Sequence, residues 1–449
     1  MISAANHPPP SNGNEARTSG IGGYAILYLN CLCLFVFSHF IHSDPAAMKI
    51  FYVKTYARYL LLSLCCTVIL TNSHAQATED TVRKNDRLQV GVFMPLYLDS
   101  AFDPAGNYRY NKAIPGFLAS GMDFYIGVQQ AVDSLAKNKT AVDIHVFDSR
   151  DNDSKPEILT LGDTLKKMHL LAGIVNVNEA AVLARFAKAN QIPFININLP
   201  NEAGSSANPF HIVTNATLAT HCQAIYKYLQ YNHALSQVLL ITKKGTQEDR
   251  IRTYIEDAGA TTASVPIKIK TLEVKDSLDA EELLPLLDSN KTTACVIGSL
   301  DLQFSMGVCA KLAQLTPNYP MLALGMPTWE QLNFAKPSLK GLEIVYPTSF
   351  YADPEEKKIR QLREDLFDRY FLRPKDITLR IYDFLYTFCQ LTPNSGPFLL
   401  EKISQTQFMQ LGQLNIQAVR NKNTGVTDYS ENKKIYFVKK LNGATQAVE

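Results

Sequence analysis

The chain has 449 residues, of which 46% are hydrophobic and 19% charged, enough for two or three domains with well-filled cores. Its 44 basic and 42 acidic residues nearly cancel, and without residues 1–75 the two signs balance. Such a surface argues against nucleic acid or an anionic membrane as the partner.

The first 75 residues read as export machinery. Residues 20–41 carry no charged residue and are long enough to span a bilayer. Met48 then opens a second unit, with Lys49, Lys54 and Arg58 ahead of the apolar run Tyr59–Leu70 and the small-residue pattern Ser73-His74-Ala75. This is the form of a signal peptide over 48–75, with cleavage before Gln76. Residues 1–47 are then an extension upstream of the true start, and the mature protein is expected in the periplasm or secreted. The rival reading is a membrane anchor over 20–41, disfavoured because a second export segment behind it would be redundant. Leu64 stands before Cys65 where a lipidation signal wants a small residue, which excludes a lipid anchor. Four cysteines remain, Cys222, Cys295, Cys309 and Cys389, with no metal-site spacing. A Cys295–Cys309 bridge is conceivable in an oxidising compartment, and separate buried thiols are the favoured alternative.

From Leu88 onward strands and helices alternate. Leu88, Val90, Val92 and Phe93 predict a strand buried on both faces, followed by a long turn-rich loop and a helix carrying Tyr125, Val128, Val132 and Leu135. Val142–Phe147 predicts a second strand ending in Asp148-Ser149-Arg150-Asp151, and Ile158, Leu161, Leu165 and Met168 mark a helix. Leu171–Val175 is a third strand, followed by a helix beginning near Asn178 with Val182, Phe186 and Ala189 inward. Ile192–Ile197 is a fourth. The loop Asn198–Pro209, with Phe210–Val213, leads to a second lobe. There the predicted strands are Val238–Ile241, Val265–Ile269, Ala294–Ile297, Met321–Leu324 and Leu342–Tyr346. Helices are predicted from Thr246 and around Phe304–Leu315. Asp353-Pro354-Glu355-Glu356 opens a further helix, Ile377–Leu391 forms the next, and Leu414–Ala418 and Ile435–Val438 close the chain as strands. Strands alternating with helices at this spacing predict an α/β fold with parallel sheets.

The search for chemistry is negative. No phosphate loop with lysine, no serine elbow and no paired-histidine zinc motif occurs. His145, His169, His211, His221 and His233 are scattered. The chain is expected to be no enzyme, with no catalytic residue, no metal and no cofactor.

The order of these pieces resembles the type I periplasmic binding proteins, in the branch of the leucine/isoleucine/valine-binding receptors of ABC importers. The likeness covers nearly all of residues 88–445. It is carried by the opening strand, Asp148-Ser149-Arg150-Asp151, Phe210-His211-Ile212-Val213-Thr214, Gly298-Ser299, Gly341-Leu342, Tyr382-Asp383 and Leu441-Asn442-Gly443. The resemblance implies two α/β lobes joined by three crossings, each lobe a mainly parallel sheet flanked by helices, with a ligand held between them by hinge closure. It places the first lobe at 86–213 plus 347–411 and the second at 214–346 plus 412–449. By the same resemblance the ligand-facing loops carry Tyr97, Asn176, Asn178, Glu179, Asn198, Asn201, Lys243, Gln247, Ser299, Asp301, Thr328 and Trp329.

Two departures bear on the ligand. Receptors of this branch meet a carboxylate with hydroxyls and backbone N–H groups after the third and fourth strands, where this chain has Asn176-Val177-Asn178-Glu179. The acid that takes the ligand ammonium should fall in Gly325-Met326-Pro327-Thr328, which holds none; Asp301 is the nearest substitute. Trp329, the only tryptophan, either stacks on a ligand at the cleft edge or packs at a strand-to-helix turn. The expected function is capture of a small polar solute for an ABC permease or sensor. The alternative is a ligand-less interaction module of the envelope on the same fold.

Overall fold

The computed structural model describes residues 87–394, 399–407 and 409–448. The expected extension 1–47 and signal peptide 48–75 lie outside the described residues.

Short apolar runs bounded by turn residues build two seven-stranded sheets. The first starts from β1 (Leu88–Met94), buried along almost its whole length and hydrogen-bonded in parallel to β2 (Val142–Asp148) on one side and β3 (Leu170–Gly173) on the other. β4 (Phe194–Asn196) and β5 (His211–Val213) extend it, again in parallel. The second repeats this order with β6 (Gln237–Lys243) flanked by β7 (Ile269–Val274) and β8 (Thr293–Ile297), then β9 (Met321–Leu324) and β10 (Glu343–Thr348). A strand buried on both faces needs helices above and below. The first sheet gets them from α1 (Gly116–Lys137) and α2 (Val177–Asn190) on opposite faces, the second from α3 (Leu218–Asn232) and α4 (Thr246–Thr261) opposed to α5 (Leu302–Leu315). α6 (Lys357–Tyr370) and α7 (Asp376–Leu391) return to the first lobe, where α7 packs on α1.

The chain end differs from expectation. β11 (Ile416–Arg420) and β12 (Thr427–Asn432) complete the first sheet, β12 pairing in parallel with β5, and only β13 (Tyr436–Leu441) and β14 (Ala444–Val448) join the second. The second lobe therefore does not take all of 412–449, because the third crossing falls at Lys433–Ile435. Buried Glu431 and Asn432 tie the end of β12 to the first crossing by hydrogen bonds to Thr217 and Thr214.

Smaller differences have local causes. The helix expected over 158–168 is broken into the turn Pro156–Leu159 and the 3-10 turn Leu165–Lys167, with Gly162 between them and Leu161 exposed. The strand expected at 265–269 begins four residues later because the pairing to β6 starts at Ile269, and Val265 is exposed. α2 buries the expected Phe186 together with Ala180, Leu183, Ala184 and Ala187, while Val182 is partly buried and Ala189 exposed, a face turned by about one residue. α3, amphipathic but rich in Thr, Gln and Tyr, was not predicted at all. Cys222, Cys295, Cys309 and Cys389 are buried free thiols, and burial pushes the Cys295 thiol up to about 12.

Trp329 is a correction. Its side chain is fully buried in the second lobe, in a 3-10 turn Pro327–Gln331, 5.3 Å from the Phe334 ring, and does not line a cleft edge. Gly325 makes room for it, since a Cβ there would lie 1.9 Å from the indole. The wide indole fills the space between α5 and the β9–β10 edge, which a turn residue facing a ligand could not do.

The two lobes are joined where backbone leaves one ladder before entering the other, so its N–H and C=O groups need side-chain partners. Thr214 hydroxyl donates to the carbonyls of Asn196 and Ile197. Ala216 N–H donates to Ser349 Oγ at 2.9 Å, and Thr217 N–H to Glu431 Oε1 at 2.8 Å. Thr220 hydroxyl donates to the same Glu431 oxygen, and Lys433 holds the other. Ser349 Oγ also meets His221 Nε2 at 3.3 Å.

Two outcomes are expected. Tryptophan emission, excited selectively at the red edge, comes from Trp329 alone, so the folded protein should emit in the blue and resist iodide quenching, and Trp329→Ala should cost about 3–5 kcal/mol in urea unfolding; red, quenchable emission would contradict the packing. Burial lowers His211 to about 4 and His221 to about 3. The unfolded chain binds protons near pH 6.5 that the folded one refuses, so stability is full above that pH. It should fall on the order of a few kcal/mol as pH drops towards 4. Burial raises Asp383 to about 7, which acts in the opposite sense, so the histidine share is read as the loss in urea midpoint between pH 7.5 and pH 5 that disappears in a His211→Gln/His221→Gln variant, and an unchanged loss would count against it.

Candidate ligand-binding cleft

In open parallel sheets, ligands sit beyond the carboxyl ends of the strands, where loops and helix N-termini gather. In the first lobe these are the loops after β1, β3 and β4; in the second, those after β6, β8 and β9. The crossings leave from the same ends, at Val213, Thr348 and Asn432.

After β1, Tyr97 adopts a left-handed backbone conformation with φ 57°, unusual for a bulky residue. The cause is Asp148 at the end of β2, whose carboxylate receives the N–H groups of Leu96 at 2.9 Å and Leu98 at 2.8 Å, one on either side of Tyr97. The Tyr97 ring lies edge-on to Phe117 and under the Arg150 guanidinium, 5.8 Å from its centroid.

After β3, the N-terminus of α2 is closed on itself. Asn176 side chain accepts from Glu179 N–H at 3.0 Å, and Glu179 Oε2 accepts from Asn176 N–H at 2.9 Å. The other carboxylate oxygen of Glu179 is 2.6 Å from Arg150 Nη1. Burial raises the Glu179 pKa, and the Asn176 N–H and the Arg150 charge oppose that rise. Asn198 spans to the same loop: its Oδ1 accepts Val175 N–H at 2.9 Å and its Nδ2 donates to Val175 carbonyl. After β4, Asn196 accepts Leu199 N–H at 3.0 Å and donates to the Asn201 carbonyl; Asn201 side chain accepts Ala203 N–H. The N–H groups of Val175, Asn176, Glu179 and Leu199 are thus occupied by side chains of their own lobe. Asn178, between them, is exposed.

The second lobe is closed in the same way. Ser299 hydroxyl donates to buried Glu248 at 2.6 Å. Asp301 caps α5, accepting Gln303 and Phe304 N–H, while its second oxygen meets Lys243 Nζ at 2.6 Å. The Lys243 hydrogen bond lowers the Asp301 pKa and raises that of Lys243. Thr328 hydroxyl donates to Leu300 carbonyl, and Gln247 is exposed on α4. Among the described residues no cluster of three or more His, Cys, Asp or Glu is placed to hold a metal ion.

Sequence reasoning passed over Asp148 and Arg150, although both stand in the quoted motif at a strand end. It also passed over the hinge. Arg380 on α7 is 6% exposed, its Nη2 is 3.2 Å from Glu330 Oε1 of the other lobe, and its guanidinium lies 5.6 Å from the Phe350 ring centroid. The signal was an arginine that, with Asp383, is one of two charges in the mainly apolar stretch Ile377–Leu391.

No protein-family profile and no curated protein matches the sequence. Solved structures do. A Rhodospirillum rubrum protein assigned to branched-chain amino acid ABC transport aligns over 81% of this chain and 100% of its own, with TM-score 0.60 and 10% identity. A branched-chain amino acid ABC transporter periplasmic ligand-binding protein of Burkholderia xenovorans LB400 covers the same 81% and 95% of its own length, TM-score 0.54 and 10% identity. An ABC transporter substrate-binding protein of Desulfitobacterium hafniense, solved with Leu, covers 81% and 100%, TM-score 0.51 and 10% identity. With two sheets of matching strand order and three crossings between them, the chain has the two-lobed α/β fold of the type I periplasmic binding proteins.

Proposed function

We propose that the protein is a non-enzymatic solute receptor of the periplasm or cell exterior, closing its lobes on a small polar ligand for an ABC permease or sensor, and that this ligand is no leucine-like amino acid. The fold supports the first half. A single observation carries the second: the N–H groups after β3 and β4 are taken by Asn198, Glu179 and Asn196, and Asp301 is taken by Lys243. An ammonium entering this cleft must break the Asp301–Lys243 pair to find a carboxylate there. Burying a charge unpaired costs several kcal/mol.

The magnitudes decide the point. A micromolar receptor needs about −8 kcal/mol in total, and losing about 3 of these weakens binding more than a hundredfold. Calorimetry with leucine, isoleucine and valine should therefore show no micromolar binding. Micromolar binding that vanishes in Asp301→Ala would identify Asp301 as the ammonium partner and overturn this reading; binding that survives that change would overturn the whole pocket argument.

The same internal closure supports a second reading, an envelope interaction module that keeps the fold without a ligand. Thermal-shift screening against amino acids, sugars, nucleosides and short peptides separates them, since a ligand at a hundred times its Kd stabilises by about 2.7 kcal/mol. The receptor reading expects a saturable rise of several degrees with one class, and a flat response throughout would favour the module. Export predicts that secreted protein begins at Gln76 or within a few residues of it; N-terminal sequencing that finds Met1 on membrane-bound material would contradict the signal peptide.

A further inference from the structure

We infer that the hinge holds a seat for an oxyanion, a carboxylate or phosphate-type group of the ligand, built on Arg380 with His221 beside it. This rests on the receptor reading and names the chemistry of its ligand.

The location follows from helix register. α1 and α7 run in parallel, with Lys375 on Asp123, Ser134 on Tyr382 and Asn138 on Tyr386. The N-terminus of α1 lies at the carboxyl end of β1, so the first turns of α7 lie at the cleft end of the lobe. Arg380 stands there, over Phe350 of the second crossing.

Arg380 is poorly matched for a buried cation. A guanidinium offers five N–H donors in a planar fork. Here Nη2 makes the long contacts to Glu330, 3.2 and 3.5 Å, and Nε is buried with no partner. Glu330 itself is 35% exposed in its side chain. Its anchor is thin, a 3.5 Å contact from the Thr348 hydroxyl. Close by is His221, buried and neutral, its pKa pushed down by burial and then by the Arg380 charge. Ser349 Oγ already accepts Ala216 N–H, so its hydroxyl proton is assigned to His221 Nε2. That tautomer leaves the ring proton on Nδ1, which is buried without a partner.

Two buried donors, one cationic, thus stand unpaired at the cleft end of the hinge; Glu431 nearby is already held by Thr217, Thr220 and Lys433, and the acid that reaches Arg380 is the partly exposed Glu330 of the opposite lobe. Buried donors of this kind are costly unless an acceptor arrives. A planar oxyanion on the Nε–Nη edge of Arg380 satisfies the fork as a bidentate pair and replaces Glu330. Glu330 then acts as an internal stand-in for the ligand. An acid that carries no ammonium suits a cleft with no free acidic partner.

The test uses the purified full chain, its thermal shift and calorimetry, with sodium acetate, benzoate and inorganic phosphate titrated against chloride at equal ionic strength. The expected result is saturable stabilisation by at least one oxyanion. Affinity should weaken tenfold or more in Arg380→Gln and tighten several-fold in Glu330→Gln, because the latter removes the competitor. Carboxylates acting without phosphate, or the reverse, identify the ligand group. A guanidinium that merely ties the lobes together gives the opposite pattern: Glu330→Gln loses stability and no anion restores it. That outcome, or no oxyanion response in either the wild type or Glu330→Gln, overturns the seat. If a neutral solute still stabilises the protein, the receptor reading stands without it; if nothing does, both fall.

Discussion

Everything in this fold depends on three short stretches of backbone that leave one parallel sheet and enter another. Each must give up ladder hydrogen bonds in a buried setting, and each unpaired group there would cost about 1–3 kcal/mol. Thr214, Ser349, Glu431 and Asn432 supply the replacement bonds, and all four are buried. Because Glu431 and Asn432 belong to β12, the last strands of the first sheet are fixed by the crossing they serve. The lobe boundary is set by this polar knot rather than by the order of apolar runs.

The same economy shapes the cleft. An asparagine or acid placed three residues into a loop finds its own backbone first, as Asn176 with Glu179 and Asn196 with Leu199 do. Such contacts stiffen the loops that carry them and take up the Asn176, Glu179 and Leu199 amides. Arg380 stands apart because its fork is only partly used, so the charge left over is positive and sits at the hinge. In the proposed seat, ligand chemistry and lobe closure meet at one residue, since Glu330 reaches it from the other lobe.

The architecture was legible because β3 and β9 are apolar throughout and β1, β6 and β8 have apolar centres, all bounded by turn residues, a signal that survives without knowledge of partners. Edge elements were not. β7 alternates on an exposed edge, its register to β6 being a tertiary matter, and α3 mixes tyrosine, threonine and glutamine so that no stripe stands out. The site was legible only as loops. Spacing cannot tell whether Asn198 faces a ligand or Val175, and the apolar neighbours of Trp329 that bury it, such as Phe334 and Tyr346, come from β10 and the intervening loop. Arg380 was visible as a charge in an apolar helix, but its partner lies fifty residues upstream in the other lobe.

In the first lobe the Val175, Asn176 and Leu199 amides of the loops after β3 and β4 are held by neighbouring side chains. Amide hydrogen exchange at Val175, Asn176 and Leu199 tests it most directly, because these loop amides stay protected only if Asn198, Glu179 and Asn196 hold them. Slow exchange at all three in the ligand-free protein, with the Asn176 amide released in Glu179→Ala, is the predicted result. Exchange at the rate of open loop amides would show that the donors are free, and the account of this cleft would be wrong.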